Sequence, residues 1–441
     1  MRSRTGCWTC REDGYKCDEQ KPSCGRCVRL KKVCKGYGIR LRWRETSLSN
    51  RPMPTGQHQS TTIDIRTGVE HQPHPMTRLP SVRLGDEKLL HHWQSNFVHL
   101  ISISAAGSRN PFLVHLTPLL THSASLRSVI TSMAANHLAQ VQPESSMAIL
   151  AIQHRIRAVA YLRRDMVATA DPETSLATIV MLQLADRLFM EDSGVNHLQG
   201  ANALISYRGG QEAWSSSSAG RFLLGLCWYH DVLLSVSKSK APFLGLKNML
   251  VEGLSDSSRL SIVLSLVGEI SGLRSEKASD QGSNNKAKEQ RILSELVSLE
   301  ETGHLDDNAR NVEIHRLSGL IYFYRSTTTQ AKPSDSYLAL YSRLCLQHLA
   351  KIPCSSPITS SHIWPLWTAG CEATDKVLRD LVLQRLDDMF QLRRLTFLQR
   401  IKQDILGVWD MKDSRRGRSG RDDIDCVTAV LSVYNRDVDI V

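Results

Sequence analysis

Aromatic side chains are scarce in this 441-residue chain, only 6% of it, and no uninterrupted apolar run reaches 18 residues, so a membrane-spanning helix is not expected. The chain also lacks a glycine-rich phosphate loop ending in lysine, a His-Glu-x-x-His helix and a Gly-x-Ser-x-Gly elbow. Those absences remove the sequence signatures of nucleotide hydrolysis, zinc proteolysis and serine hydrolysis. His91-His92 has no partner at metal spacing, and Cys227, Cys345, Cys354, Cys371 and Cys426 stand singly, as structural thiols do. No enzyme is expected. The first six residues, Met-Arg-Ser-Arg-Thr-Gly, hold no apolar signal peptide, so an oxidising compartment is not expected either.

Cysteine is instead concentrated in one place. Six of the 11 cysteines lie between residues 7 and 34: Cys7, Cys10, Cys17, Cys24, Cys27 and Cys34. Each half repeats the same spacing, two residues and then six, so Cys7 and Cys10 can hold one ion across a tight turn and Cys24 and Cys27 repeat that geometry. Three disulfides would also use six cysteines, but they need the oxidising context that is not expected here. Six sulfurs cannot fill the eight positions of two separate tetrahedra, so two thiolates must bridge two zinc ions.

The segment from Gly6 to Tyr37, with Gly-Cys-Trp-Thr-Cys, Lys-Pro-Ser-Cys-Gly-Arg-Cys and Cys-Lys-Gly-Tyr, resembles the binuclear Zn2Cys6 cluster of fungal transcription factors. The resemblance implies two Zn(2+) ions per finger, with Cys7 and Cys24 as the bridging ligands. It also implies a loop proline at Lys21-Pro22 and a short helix directed toward the DNA major groove.

Charge agrees with a polyanionic partner. Residues 1 to 44 hold 13 Lys plus Arg against four Asp plus Glu, a formal +9 out of +11 for the whole chain. Six thiolates and two zinc ions add about −2, leaving roughly +7 to attract phosphates with a salt-dependent affinity. Lys16 is the expected base contact, with Arg11, Lys21, Arg26, Arg29, Lys31 and Lys32 on phosphates. Lys31-Lys32 would serve equally as nuclear-import charge. Within Arg11-Glu12-Asp13-Gly14-Tyr15-Lys16, the two carboxylates would repel a DNA backbone, and Gly14 should weaken a short helix by up to about 1 kcal/mol. A loosened recognition element is the expected consequence.

Three regions follow from composition: a DNA-binding finger at 1–44, a flexible linker at 45–85 and an all-helical domain at 86–441. The linker holds Pro52, Pro54, Pro73, Pro75 and Pro80, which no sustained helix accommodates. Only Leu41, Trp43 and Leu48 are large and apolar between Leu41 and Pro52, too few for a zipper. DNA binding as a monomer, or as a homodimer through the helical domain, is therefore expected.

Beyond the linker the periodicity is helical. Asp86 should cap a helix carrying Leu89, Leu90, Trp93, Phe97, Leu100 and Ile101 on one face, and Ile149, Ile152, Ile156, Val159, Leu162 and Met166 form a second stripe expected in the core. Asp171-Pro172 opens a third helix with Ile179, Val180, Leu182, Leu184 and Leu188. Loops are expected at Ser215–Ser218, at Ser275–Lys288 and in the basic run Lys412–Arg421, which could touch DNA or assist import.

Asn110-Pro111-Phe112, Ala134-Ala135-Asn136-His137-Leu138, His197-Leu198-Gln199-Gly200-Ala201, Arg208-Gly209-Gly210, Ile314-His315-Arg316, Tyr322-Phe323-Tyr324-Arg325 and the stretch from Trp364 to Ala373 resemble the helical regulatory domain of fungal zinc-cluster regulators. That resemblance implies a nuclear regulator of RNA polymerase II transcription, controlling fungal metabolic genes through a CG-rich double-stranded element. It further implies transcriptional coregulators and a small-molecule effector as partners. The alternative is a transcriptional cofactor whose degenerate finger lacks sequence-specific readout. His137, His197 and His315 read as core or boundary histidines rather than ligands.

Overall fold

The computed structural model describes residues 7, 9–10, 13–20, 23–34, 84–104, 108–142, 145–167, 171–190, 196–247, 249–250, 252, 257–278, 285–301, 303, 305–327, 335–419 and 426. Two compact units divide the chain, residues 1–77 and 78–441. Nearly all of the expected linker lies outside the described residues, and 84–85 already belong to a helix.

Among the described residues of the first unit, helix α1 spans Gly25–Arg29. The second unit opens with α2, Leu84–His92, which passes through a π-turn at Trp93–Phe97 into α3, Val98–Ile101. Asp86 therefore sits inside the first turn and is not the cap. The π-turn has a cause in the sequence. Leu89, Trp93, Phe97 and Ile101 recur every four residues, longer than the 3.6 of an α-helix, and one wider turn keeps all four facing the core.

The array continues through α4 (Pro111–Leu120), α5 (Ala124–Val141), α6 (Ser145–Val167), α7 (Pro172–Phe189), α8 (His197–Tyr207), α9 (Gly210–Trp214) and α10 (Ser218–Lys238). It is completed by α11 (Ser257–Ala278), α12 (Asn285–Ser298), α13 (Asp307–Ser326), α14 (Asp335–Lys351), α15 (Ile363–Cys371), α16 (Lys376–Arg393) and α17 (Phe397–Ser419). No strand occurs among the described residues, so a small cysteine cluster is followed by a large all-helical region. Side-chain caps fix several starts: Asn110 accepts from the Phe112 and Leu113 amides, and Asp171 accepts from the Glu173 amide ahead of Pro172. As expected, Ile179, Val180, Leu182, Leu184 and Leu188 are all buried.

Of the stripe expected in the core on α6, only Val159 and Leu162 pack against it, both half-buried; the rest faces outward. Ile149, Ile152 and Ile156 are 57%, 57% and 64% exposed and Met166 is exposed too, while Ala151, His154 and Ala158 are buried against α5. Small hydroxyl side chains on α5 make this face the better fit. The Ser132 hydroxyl donates to the Ala151 carbonyl (2.7 Å), Ser125 donates to Asp165 (2.8 Å), and Thr131 meets His154 Nδ1 at 3.1 Å. Alanine opposite serine and threonine lets the two backbones approach closely, which isoleucine would prevent.

Two expected loops are also shorter than the sequence indicates. Helices α11 and α12 extend into Ser275–Lys288, leaving only 279–284, which lie outside the described residues. The basic run from Lys412 is helical to Ser419. Lys412 is 3% exposed and places Nζ 2.7 Å from Glu372 Oε2, while Arg325 grips both oxygens of the same carboxylate at 2.9 and 2.5 Å. A residue read as a DNA or import charge is instead an interior counter-ion joining α17 to α13. Desolvation alone would raise the Glu372 pKa, but Lys412 and Arg325 outweigh it and hold the group at about 2.

The three histidines singled out are internal or at boundaries. His137 Nε2 lies 2.9 Å from the Arg393 carbonyl and Nδ1 2.9 Å from His92 Nε2, His197 lies 3.2 Å from Asp186, and His315 Nδ1 is 2.8 Å from the Asn311 carbonyl. Burial pushes His137 and His315 down to about 4. An unfolded imidazole takes up its proton near 6.5, so acidification from 6.5 toward 4 favours the unfolded chain, and below about 4.5 Glu372 adds to the loss. Urea unfolding followed by helical circular dichroism should accordingly show a midpoint that is flat above pH 6.5 and falls toward pH 4. His137→Gln and His315→Gln should each flatten that fall.

Candidate metal centre and nucleic-acid interface

The six cysteines of the first unit converge. Two sets of four sulfurs each lie within 4.8 Å of one another: Cys7, Cys10, Cys17 and Cys24, and Cys7, Cys24, Cys27 and Cys34. Cys7 and Cys24 belong to both sets, so eight tetrahedral positions are met by six side chains. The Cys7–Cys24, Cys10–Cys24 and Cys7–Cys27 sulfurs are 3.6, 3.6 and 3.8 Å apart. A zinc tetrahedron with Zn–S of about 2.3 Å has edges of roughly 3.8 Å, whereas a disulfide needs about 2.05 Å. All six are free thiols by geometry, and the donor set fits two zinc ions. Desolvation pushes Cys7 up, and Cys24 up to about 12, so these sulfurs are poor thiolates unless a cation sits among them.

The backbone repeats with a 17-residue offset. The Tyr15 amide donates to the Cys10 carbonyl at 2.9 Å and the Lys32 amide to the Cys27 carbonyl at 2.9 Å. Just before each donor the chain turns left-handed, at Gly14 (φ +77°) and Lys31 (φ +51°). Gly14 therefore closes the turn that a side chain would strain, and the expectation that it loosens a helix is corrected. Amides of Cys10 and Cys27 point at the sulfurs of Cys7 and Cys24 (3.4 and 3.3 Å), and those of Cys7 and Glu19 point at Cys17 (3.3 and 3.4 Å). These donors suit a cluster carrying about −2 net charge.

Contacts between the halves are specific. Asp18 Oδ1 accepts from the Gly25 amide at 3.1 Å, and a Cβ on Gly25 would stand 2.5 Å from Asp18 Oδ2. The Thr9 hydroxyl donates to the Val33 carbonyl at 2.9 Å. Asp13 Oδ2 receives Arg26 Nη1 at 3.0 Å and Lys32 Nζ at 2.9 Å, interactions that hold its carboxyl below the usual range. Its charge is therefore neutralised inside the finger, which removes the expected clash with phosphates. Arg26 is further engaged: its side chain is only 14% exposed, Nη1 approaches Cys10 Sγ at 3.8 Å, and the guanidinium lies 4.2 Å from the Tyr15 ring centre.

Lys16, Arg29 and Lys31 are exposed. Lys16 lies two residues after Gly14, outside any helix, and the corresponding position in the second half is Val33. Arg11, Glu12, Lys21 and Pro22 lie outside the described residues. The Asp13–Arg26–Tyr15 clamp had no signal in the linear spacing except the 17-residue repeat, which places Arg26 opposite Thr9.

Residues 88–436 match the family described as the fungal specific transcription factor domain. The chain belongs to this family. It is a family of transcription factors, not of enzymes. Residues 5–44 of this family member match the fungal Zn(2)-Cys(6) binuclear cluster domain. An uncharacterized transcriptional regulatory protein of Schizosaccharomyces pombe is 30% identical over 189 residues, covering 42% of this chain and 30% of the relative. The Candida albicans White-opaque regulator 2 is 34% identical over 114 residues, covering 25% and 23%. A Leptosphaeria maculans protein, the Phomenoic acid biosynthesis cluster-specific transcriptional regulator, is 22% identical over 436 residues, covering 87% of this chain and 81% of its own length. The chain thus spans less than a third of the first two relatives. No solved structure matches. Among the described residues no helix is long and apolar enough to cross a membrane.

Native mass measurement of the intact family member should give two zinc ions per chain; one ion or none would contradict the shared-sulfur geometry. Cys24→Ala should lose both ions, while Cys34→Ala should retain about one.

Proposed function

We propose that this protein is a zinc-dependent, sequence-specific DNA-binding regulator of RNA polymerase II transcription, acting in the nucleus on fungal metabolic genes. The observation that carries this reading is the shared-sulfur cluster beside an exposed lysine, Lys16, whose matching position in the second half is Val33. Cys7, Cys10, Cys17, Cys24, Cys27 and Cys34 hold the ions, with Cys7 and Cys24 bridging. Lys16 reads a base edge in a CG-rich element, and Arg11, Lys21, Arg29 and Lys31 contact phosphates. Arg26 and Lys32 chiefly neutralise Asp13, so Arg26 positions the Tyr15–Lys16 segment and Lys32 gives the backbone only part of its charge. The finger occupies 1–44, the linker runs from 45 to the start of α2 at Leu84, and the helical regulatory domain that follows to 441 engages coregulators and a small-molecule effector.

Titration of the zinc-loaded chain against random duplex pools should yield a preferred element. Lys16→Ala should cost about 1–3 kcal/mol on that element and flatten the preference. Asp13→Asn should release Lys32 toward phosphate and steepen the dependence of log K on log salt by about 1. Binding without any preference beyond salt-sensitive bulk attraction would instead support the cofactor reading.

Self-association through the helical domain has its own support. Ile149, Ile152, Ile156, Arg163 and Met166 are exposed on α6, and with the half-buried Val159, which also packs against the core, they follow the alternating three-four spacing of a helix–helix seam. Antiparallel pairing with a second copy would set Arg163 against Ile152 and keep the two arginines apart. Sedimentation should register a dimer that Ile152→Asp with Ile156→Asp converts to monomer at unchanged helix content; a wild-type monomer at high concentration would refute it.

A further inference from the structure

Within the helical unit a cavity of about 1730 Å³ lies among α4, α7, α10 and α17, walled by Phe112, Leu184, Phe222, Leu226 and Leu234. That is larger than the roughly 300–1,000 Å³ of common ligand pockets, so an extended molecule fits. Ala241, Phe243 and Leu250, from the segment after α10, form another side. This segment is firmly seated: the Leu250 carbonyl passes 2.5 Å from where a Cβ on Gly225 would stand, and the Gln211 side chain donates to the Lys247 carbonyl (2.7 Å) and accepts from its amide (3.1 Å). The wall is therefore preformed, and apolar surface is most of what it offers.

Both signs of charge border the cavity, and the protein itself answers them. Asp387 takes Lys402 Nζ on both oxygens at 2.7 Å, Glu252 meets His115 at 2.7 Å, and Asp186 is held by Arg155 and His197. Asp231 accepts from the Phe243 and Leu244 amides at 3.3 and 2.9 Å, and Arg393 donates to Leu100, Ser360 and Thr359. Arg187 donates to His230 at 2.6 Å, Lys238 and Arg400 are engaged as well, and Lys240 is exposed to solvent. The surroundings also oppose charge. Desolvation pushes Asp231 up to about 6 against the pull of its two amides, Tyr229 up to about 12, His230 down and Arg393 down to about 10. All four move toward the neutral form. A ligand bearing a carboxylate, phosphate or ammonium group would meet the same desolvation cost and find the counter-charges already taken, whereas an apolar body gains from every surface it buries.

We propose that this cavity binds an uncharged, elongated and largely apolar small molecule, its hydrocarbon lying along the wall that Leu226 and Leu234 of α10 share with Phe112 and Leu184. The site gives chemical content to the effector reading and rests on it for its regulatory meaning, but binding itself needs no DNA.

The test is calorimetric titration of the full zinc-loaded chain, without DNA, with three probes of equal chain length: decan-1-ol, decanoate and decyltrimethylammonium. Decan-1-ol should bind at least about tenfold more tightly than either ion. Leu226→Trp, which fills part of the cavity from a half-buried position, should weaken decan-1-ol by at least about tenfold, and Leu234→Trp, about two helical turns further along α10, should do the same, with wild-type circular dichroism as the check on folding for each. Ile152→Asp, on the exposed stripe of α6, should leave decan-1-ol binding unchanged and so separate the cavity from surface adsorption. Either ion binding as tightly as decan-1-ol would overturn the proposal. An affinity for decan-1-ol that a folded tryptophan variant does not lower, or no binding of decan-1-ol at all, would overturn it as well. A failure here leaves the DNA titration unaffected, and loss of DNA preference leaves this calorimetry unaffected.

Discussion

The finger depends on a shortage of sulfur. Six thiolates must meet eight coordination positions, so Cys7 and Cys24 belong to both sets and the two halves are locked at one separation. Sharing also sets the local electrostatics. The centre carries a net charge of about −2, and backbone amides from Cys7, Cys10, Glu19 and Cys27 are turned toward its sulfurs. Among its described residues the finger has no apolar core beyond the cysteines: Cys7, Cys10, Cys17, Cys24 and Cys27 are buried with Thr9, while Tyr15, Val28, Leu30 and Val33 are exposed. Folding and metal binding are therefore one process here.

On that near-symmetric frame, function lies in the departures from symmetry. Lys16 and Val33 occupy matching backbone positions, and only one can reach a base edge or phosphate. Asp13 occupies the place matched by Leu30, and its carboxylate gathers Arg26 and Lys32 across the repeat. The two acidic residues in the first loop look in sequence like a defect in a DNA-binding surface. For Asp13 the structure gives a different account: it spends formal charge to orient an arginine against Tyr15 and Cys10, so the finger is less basic outward than its +9 suggests and more rigid inward.

Much of this was legible from spacing, and the failures share a physical reason. Ligand sets, the Asp171-Pro172 helix start and the Leu89–Ile101 stripe depend on local geometry, which sequence periodicity encodes directly. Gly14 was misread because a glycine's meaning depends on φ, and +77° marks a turn that needs it. Lys412 was misread because a cation amid arginines resembles a solvated surface until Glu372, 40 positions earlier, is brought beside it. Burying such a group costs several kcal/mol, and the triad is tolerable because Arg325 and Lys412 leave the carboxylate fully paired.

Helix α6 carries the argument furthest. Two faces of that helix have the same three-four periodicity, Ile149–Ile152–Ile156 on one side and Ala151–His154–Ala158 on the other, so hydrophobicity favours the first face and fit favours the second. Against a helix lined with Ser125, Ser128, Thr131 and Ser132, small residues gain close contact and paired hydroxyls, while isoleucines would hold the backbones apart and strand those hydroxyls. The partner helix thus decides which stripe is core, and its sequence, not that of α6, contains the deciding information. The stripe left outside retains a seam's periodicity and meets no partner among the described residues, so the sequence pattern that looks like core is satisfied here by exposure rather than by packing.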